Sequence, residues 1–304
     1  MFDSSQNATQ NAANIASQNP AEHVRNPLLE LIVGPTASGK SSAAVRRALE
    51  IGAEIISVDS VQVYRGLDIG SAKITKEEAC GIPHHLIDAV DPDQSFTAVD
   101  FERLAGEAIR QIDQSGRPII LCGGTGLYLS ALLYGLDYAE EEVDEAYRQF
   151  LNTCSLDQLL ELSRSTEYRG LSLDGVDVAN KRRLIRALEI FRSTGKSVGK
   201  FEDKRSPRFP CRWTVLDPPR EELHRRIVRR VDQMLEQGLL EETEGLIRRY
   251  GREQKSLMSI GYREAGQFLA GEITREAMRE AIIISTRQYA KRQSTWFRKY
   301  AGHR

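Results

Sequence analysis

The stretch Gly34-Pro35-Thr36-Ala37-Ser38-Gly39-Lys40-Ser41 restricts the fold more than any other part of the chain. It follows the apolar run Leu28-Leu29-Glu30-Leu31-Ile32-Val33 and leads into Ser42-Ala43-Ala44-Val45-Arg46-Arg47-Ala48-Leu49, so it reads as strand, tight turn, helix. The spacing G-x-x-x-x-G-K-S is that of a P-loop. Its glycines free the backbone to curl, so that N–H groups converge on an anion. The helix start adds about half a positive charge. Lys40 is placed to bridge outer phosphates, and Ser41 to hold Mg2+ through its hydroxyl. Such a loop recognises linked phosphates and ignores what they carry, so ATP, GTP and a prenyl diphosphate all fit. A chance glycine turn before a helix is the alternative.

The chain beyond the loop continues the strand–helix alternation. Glu54-Ile55-Ile56-Ser57-Val58 is a second short strand, ending in Asp59-Ser60-Val61-Gln62-Val63-Tyr64. A carboxylate at that end of a strand beside a P-loop lies where α/β sheets bind ligands. Asp59 is placed to hold Mg2+, to accept a proton, or simply to cap a turn. After Pro83-His84-His85, Leu86-Ile87 reads as a further strand. Adjacent histidines on a strand point to opposite faces, which argues for packing and hydrogen-bonding roles over a metal site. Phe96–Gln114 has helical periodicity stopped by Gly116, and Pro118–Cys122 reads as a buried parallel strand. The glycine pair that follows, Gly123-Gly124 before Thr125-Gly126-Leu127-Tyr128, permits close approach of a ligand or another backbone. The pattern predicts an α/β fold, a P-loop NTPase-like parallel sheet flanked by helices.

From about Asp137 the pattern becomes helical only. Asn180–Glu189 is clearest, with Leu184, Ala187, Leu188 and Phe191 as an apolar stripe and Arg182, Arg183 and Arg186 opposite. The organisation expected is a disordered tail over 1–26, a core built from 27–138 and 209–304, and an all-helical insertion over 139–208. Ser193–Pro210 reads as linker or loop. Trp213–Leu216 returns as a strand before Pro218-Pro219, and the rest is helical: Arg220–Gln237, a short helix from Ser259, and Thr274–Tyr300. Arg226 and Arg230, four apart, share a side.

The formal net charge of -1 conceals two basic stretches: residues 181–208 carry ten Lys/Arg against three Asp/Glu, and 281–304 carry six against none. Together they predict one positive face. Basic residues beside aromatics such as Trp296 suit phosphate contacts with base stacking, and a solvated charged face is the competing reading. Four scattered cysteines without a C-x-x-C pair indicate neither zinc nor a disulfide framework and fit a reducing cytosol. The first 26 residues lack the apolar core of a signal peptide, and no run approaches a membrane span of roughly 20 apolar residues.

Taken together, Gly34–Ser41, Asp59–Tyr64, Asp68–Lys73, Pro83–Asp88, Gly123–Tyr128, Asn180–Glu189, Ser259–Glu264 and Thr286–Arg298 resemble the tRNA dimethylallyltransferases, also called tRNA isopentenyltransferases. The pieces run in the family's order from residue 28 almost to the C-terminus. Asp-Ser-x-Gln-Val-Tyr and Thr-Arg-Gln-x-Ala-Lys-Arg-Gln-x-Thr-Trp-Phe are highly specific, whereas the P-loop is generic. Ser71 and Ile74 stand where the family usually has Thr and Pro. No zinc-finger extension of the eukaryotic kind is seen, so the resemblance is to the bacterial type.

The resemblance implies transfer of a dimethylallyl group from dimethylallyl diphosphate to N6 of the adenosine 3′ of the anticodon, with diphosphate released. Asp59 is the implied general base, and Thr36, Lys40 and Arg230 are the implied catalytic donors, with Arg226 second to Arg230. The loop residues Gly34, Pro35, Thr36, Ala37, Ser38, Gly39, Lys40 and Ser41 are implied to hold the diphosphate, with Mg2+ on Ser41. Asp59, Ser60, Val61 and Gln62 are implied to read the flipped adenine. Thr125, Arg148, the patch Asn180, Lys181, Arg182, Arg183 and Leu184, and the patch Arg287, Gln288, Lys291, Arg292 and Gln293 are implied to contact the tRNA. A monomer in the cytoplasm is expected. An adenylate isopentenyltransferase acting on free AMP, ADP or ATP, a small-molecule P-loop kinase, and a non-enzymatic RNA-binding protein with a dead P-loop are the alternatives.

Overall fold

The computed structural model describes residues 26–135, 144–197 and 206–300. The tail before residue 26, the acidic run at 140–142, the segment 198–205 and the expected boundary at 138/139 lie outside the described residues.

Five parallel strands form one sheet in the order β3-β2-β4-β1-β5. They are Leu29–Val33 (β1), Glu54–Val58 (β2), His84–His85 (β3), Ile119–Gly123 (β4) and Cys211–Val215 (β5). β1, β2 and β4 are almost wholly buried, as expected for strands covered on both faces. Lys40–Ile51 (α1) closes one face through Ala44, Val45 and Ala48. Ala98–Gln114 (α2) and Gly126–Tyr134 (α3) close the other, in a cluster that includes Phe101, Ile109, Leu129 and Leu132. α2 begins two residues later than its periodicity predicts. Thr97 and Asp100 form a reciprocal capping box there and fix the start. β3 also differs from expectation. It uses His84-His85, and Leu86 (φ 61) turns the chain out of extended geometry before it can pair. The histidines do serve hydrogen bonding: His84 Nδ1 lies 2.8 Å from the Ile82 carbonyl and His85 Nε2 lies 2.6 Å from a Glu54 carboxylate oxygen.

Between α3 and β5 the described chain is helical: Glu145–Thr153 (α4), Leu156–Leu162 (α5) and Lys181–Thr194 (α6). These pack a cluster of their own from Leu151, Leu159, Tyr168, Leu184, Leu188 and Phe191. After β5 come Arg220–Glu236 (α7), Leu239–Tyr250 (α8), Tyr262–Leu269 (α9) and Arg275–Phe297 (α10). α8 is not among the separately expected helices. It has its own start because Gly238 (φ 101) breaks it from α7. Its Glu242 carboxylate accepts from the backbone N–H of Asp68, Ile69 and Gly70 and from the buried Tyr262 hydroxyl at 2.6 Å. That contact ties the Asp68–Lys73 segment to α8 and α9. Lys73 braces the segment itself with ion pairs to Asp68 and to Asp88 after β3, both at 2.6 Å. Among the described residues no helix is long and apolar enough to cross a membrane.

Candidate active site

The pairing register brings the loop ends together. Val33 lies beside Gly123 and Val215, and Val58 lies beside Gly123. The residues that follow, Gly34, Asp59, Gly124 and Leu216, therefore emerge along one edge, where open α/β sheets take ligands. Space there is tight. A Cβ on Gly34 would sit 2.3 Å from the Leu216 carbonyl oxygen, and one on Gly123 would sit 2.1 Å from that of Val58. A cavity of about 680 Å³ opens over this edge, with Thr36, Lys40, Asp59, Gln62, Arg230 and Tyr289 in its lining.

Three cations approach the glycine-rich loop. Lys40 opens α1, and its Nζ donates to the Pro35 carbonyl at 3.4 Å. Burial holds its ammonium below the ordinary value; Cys122 and Asp59 oppose that shift and Arg230 adds to it. From α7, Arg230 Nη1 donates to Thr36 Oγ1 at 3.1 Å and Arg226 Nη1 donates to the Ser38 carbonyl at 3.3 Å. Their four-residue spacing puts both on the loop-facing side of α7. Of the two arginines, Arg230 lines the cavity and Arg226 does not; Arg226 is also held by Glu222 at 2.8 Å. Burial lowers the Arg230 guanidinium, and the charges of Asp59 and Glu78 oppose it. Unneutralised cations in a buried pocket favour an anionic ligand.

Asp59 lines the same cavity. Its Oδ1 accepts from the N–H of Val61 at 2.8 Å and of Gln62 at 3.2 Å. The turn-capping reading is true of its geometry, and the turn holds the carboxylate in place on the cavity lining. Behind it, burial pushes the Cys122 thiol up to about 11 and the Tyr289 phenol up to about 12, the latter helped by the charge of Asp59. Both groups are thus neutral at physiological pH.

A glycine-rich loop approached by buried cations and facing a fixed carboxylate agrees with what the chain is similar to. The IPP transferase family profile matches residues 62–300. The chain belongs to the IPP transferase family. It is 45% identical over 270 residues to tRNA dimethylallyltransferase 1 of Citrifermentans bemidjiense, covering 88% of this chain and 87% of the relative. The full-length tRNA isopentenylpyrophosphate transferase of Bacillus halodurans superposes with a TM-score of 0.67 at 40% identity, over 90% of this chain and 87% of the other. A eukaryotic dimethylallyltransferase acting on tRNA superposes with a TM-score of 0.73 at 29% identity, over 89% and 70%.

Within this IPP transferase the residues expected at the nucleic acid fall into three groups. Ser60, Val61 and Gln62 line the cavity. Gln62 is already engaged at both ends, accepting from Ser57 Oγ at 3.2 Å and donating to the Ser71 and Ala72 carbonyls at 3.3 Å. Thr125 stands at the start of α3 with Oγ1 buried. A second group is on the surface. Asn180 (the cap of α6), Arg182, Arg183, Gln288, Lys291 and Arg292 are exposed. Lys181 and Arg287 are half-buried, with Lys181 Nζ donating to the Asn152 carbonyl at 2.8 Å. Arg148 makes a bidentate pair with Glu189 at 2.6 and 2.9 Å.

The third group corrects the expectation. Leu184 is 0% exposed and packs inside the α4–α6 cluster, because it belongs to the apolar stripe of α6 and not to its basic face. Gln293 is 6% exposed, with its amide bound to two loops, so it is not part of the exposed basic patch. The sequence reading also misses Ile282, Thr286 and Tyr289, which with Gln293 line the cavity from α10. Their spacing of four, three and four residues is the signal that marks one helix face. It is masked by apolar and basic residues on the helix's other sides.

Proposed function

We propose that this IPP transferase moves a dimethylallyl group from dimethylallyl diphosphate to N6 of the adenosine immediately 3′ of the anticodon in tRNA. The observation that carries the reading is that Asp59, Lys40 and Arg230 line one cavity. A base for the nucleophile and cations for the leaving group are thereby within one site. In the reaction, the N6–C1 bond forms as the C1–O bond breaks. The amine's proton goes to the Asp59 carboxylate, and the bond's electron pair leaves on the diphosphate. The exocyclic amine is delocalised into the ring and gains most from a base as it attacks. Lys40, Arg230 and the Thr36 hydroxyl stabilise the charge that develops on the diphosphate. Val231, Met234 and Ile282 give the cavity an apolar wall that suits a five-carbon chain.

We read the sheet, with its loop between β1 and α1, as a P-loop NTPase-like core into which 139–208 is inserted as a helical unit. Ser41 is exposed on the cavity lining beside Lys40, which fits Mg2+, an ion that takes few protein ligands when phosphate oxygens and waters supply the rest. Ser41 would hold the ion, which when bound would neutralise diphosphate charge. The adenosine must leave the anticodon-loop stack to reach the cavity. The exposed residues of α6 and α10 are placed to hold the surrounding backbone. A cytoplasmic monomer completes the reading.

The test incubates the protein with Mg2+, dimethylallyl diphosphate and unmodified tRNA, then analyses nucleosides by mass spectrometry. N6-dimethylallyladenosine at the position after the anticodon, lost in Asp59→Ala, is the expected result. Product from AMP but not from tRNA would assign the chain to free nucleotides. ATP hydrolysis with no prenylated product would overturn the reading.

A further inference from the structure

Gln293 sits where two loops of the site meet. Its Oε1 accepts from the Thr36 backbone N–H at 2.8 Å, and its Nε2 donates to the Gly124 carbonyl at 2.9 Å. One amide thus joins the phosphate loop after β1 to the turn after β4, which also carries Thr125. The approach is close: a Cβ on Gly124 would sit 2.2 Å from Gln293 Nε2. The side chain is 6% exposed, so neither bond is shared with bulk water. Neighbouring side chains hold α10 in this position. Ser294 Oγ donates to Asp217 Oδ1 at 2.9 Å, and the Trp296 ring covers Gly126 so closely that a Cβ there would be 2.4 Å from it.

The chemistry of the pair demands an amide. One end must accept from an N–H and the other must donate to a carbonyl, which an ionised carboxylate or an apolar side chain cannot do. Thr36 is then gripped twice, by Gln293 at its N–H and by Arg230 at its hydroxyl. Its N–H is occupied, so its contribution to the diphosphate comes through the hydroxyl that Arg230 orients. We propose that Gln293 is a positioning residue that sets the spacing between the diphosphate subsite and the nucleoside subsite. This inference rests on the prenyl-transfer reading above. It also makes α10 a two-sided element, with Gln293 and Tyr289 at the cavity and Lys291 and Arg292 in solvent on the surface.

Gln293→Met keeps length and volume and removes both bonds, together with the hydrogen bond to Tyr289, leaving the Thr36 N–H and Gly124 carbonyl without partners. The expected result is a roughly ten- to hundredfold fall in kcat with a raised KM for dimethylallyl diphosphate. tRNA affinity and its salt dependence should stay at the wild-type values. Gln293→Glu is the second variant. Ionised, it accepts from Thr36 but repels the Gly124 carbonyl; protonated, it donates and accepts as the glutamine does. Its activity relative to wild type at the same pH should therefore recover as pH falls, which a merely structural role would not produce. Calorimetric titration of each protein with dimethylallyl diphosphate reads the phosphate subsite without turnover. Wild-type protein that binds and turns over, beside variants with unchanged diphosphate affinity and kcat, would overturn the positioning role. So would weakened tRNA binding with the diphosphate parameters intact, since that is what a residue touching tRNA predicts. Wild-type protein that makes no prenylated tRNA would instead overturn the functional reading.

Discussion

The cavity over the sheet edge and the helical segment 144–197 use charge in opposite ways. In the cavity, Lys40 and Arg230 are held by burial below their ordinary values, and no carboxylate pairs with either within salt-bridge distance among the described residues. In the helical segment, Arg148 is paired with Glu189, Arg183 lies 3.8 Å from Asp177, and Arg192 lies 3.6 Å from Glu167. The first arrangement is poised for an anionic ligand; the second is near-neutral, solvated and structurally self-sufficient around Leu184, Leu188 and Phe191. A sequence shows both as basic residues near apolar ones. What separates them is the destination of the apolar side: the main core and cavity in one case, a satellite cluster in the other.

The largest effect should come from the cavity. Asp59→Asn keeps an Oδ1 acceptor for the Val61 and Gln62 N–H groups, so the turn survives while the base is lost. kcat should fall by about 10² to 10⁴, the usual contribution of a positioned base, with tRNA affinity unchanged. Rapid-quench turnover beside filter binding separates the two. Equal losses in both would mean that Asp59 acts in binding and that the cavity is not the seat of proton transfer.

A core substitution in the helical segment tests its independence. Leu188 is 0% exposed within the satellite cluster. Leu188→Ala should cost about 2–5 kcal/mol. Hydrogen exchange should report that loss over 144–197 while the strands keep their protection. Calorimetric affinity for dimethylallyl diphosphate should not change. If diphosphate binding weakens in step with the helical segment, the two regions form one cooperative unit.

Much of the cavity was readable from local sequence. The glycine-rich loop and Asp59 after β2 each declare themselves within a few residues, because a turn and a strand end are short-range features, whereas Arg230 stands out only with the help of the family resemblance. What escaped depends on distant pairing. Gln293 meets Thr36 across 257 residues, and Glu242 meets Ile69 across 173, and neither partner's local sequence carries a mark of the other. The basic run on α10 actively misdirects, since it groups Gln293 with exposed neighbours when helical geometry turns it inward. The same holds for Leu184 at the edge of a basic patch. Strand order was equally hidden: alternation predicts a parallel sheet but not that β4 inserts between β1 and β2.

The exposed arginines of α6 should give a smaller, salt-dependent effect. Removing Arg182 and Arg183 together should lower the slope of log affinity for tRNA against log salt by about one for each phosphate they neutralise. kcat at saturating tRNA should be unchanged. Wild-type slope and affinity in the double variant would mark this face as merely solvated, and would confine nucleic-acid binding to α10 and the cavity mouth.

The smallest effect, and the one that best sharpens the contrast, concerns Glu189. Its carboxylate is 10% exposed; it accepts from Arg148 Nε and Nη2 and lies 3.5 Å from Arg186 Nη1. It therefore neutralises two arginines that would otherwise add net positive charge to α4 and α6. Glu189→Gln retains one acceptor oxygen and removes the negative charge. Solvent screening limits the loss of stability to about 1 kcal/mol or less, since Arg148 is 34% exposed. The released charge should tighten tRNA binding a few-fold at low salt, and the gain should vanish as salt screens it. Measured weakening would have a different meaning: Arg148 would then touch the tRNA only in the orientation that the bidentate pair enforces, and Glu189 would serve recognition as well as the fold of the helical segment.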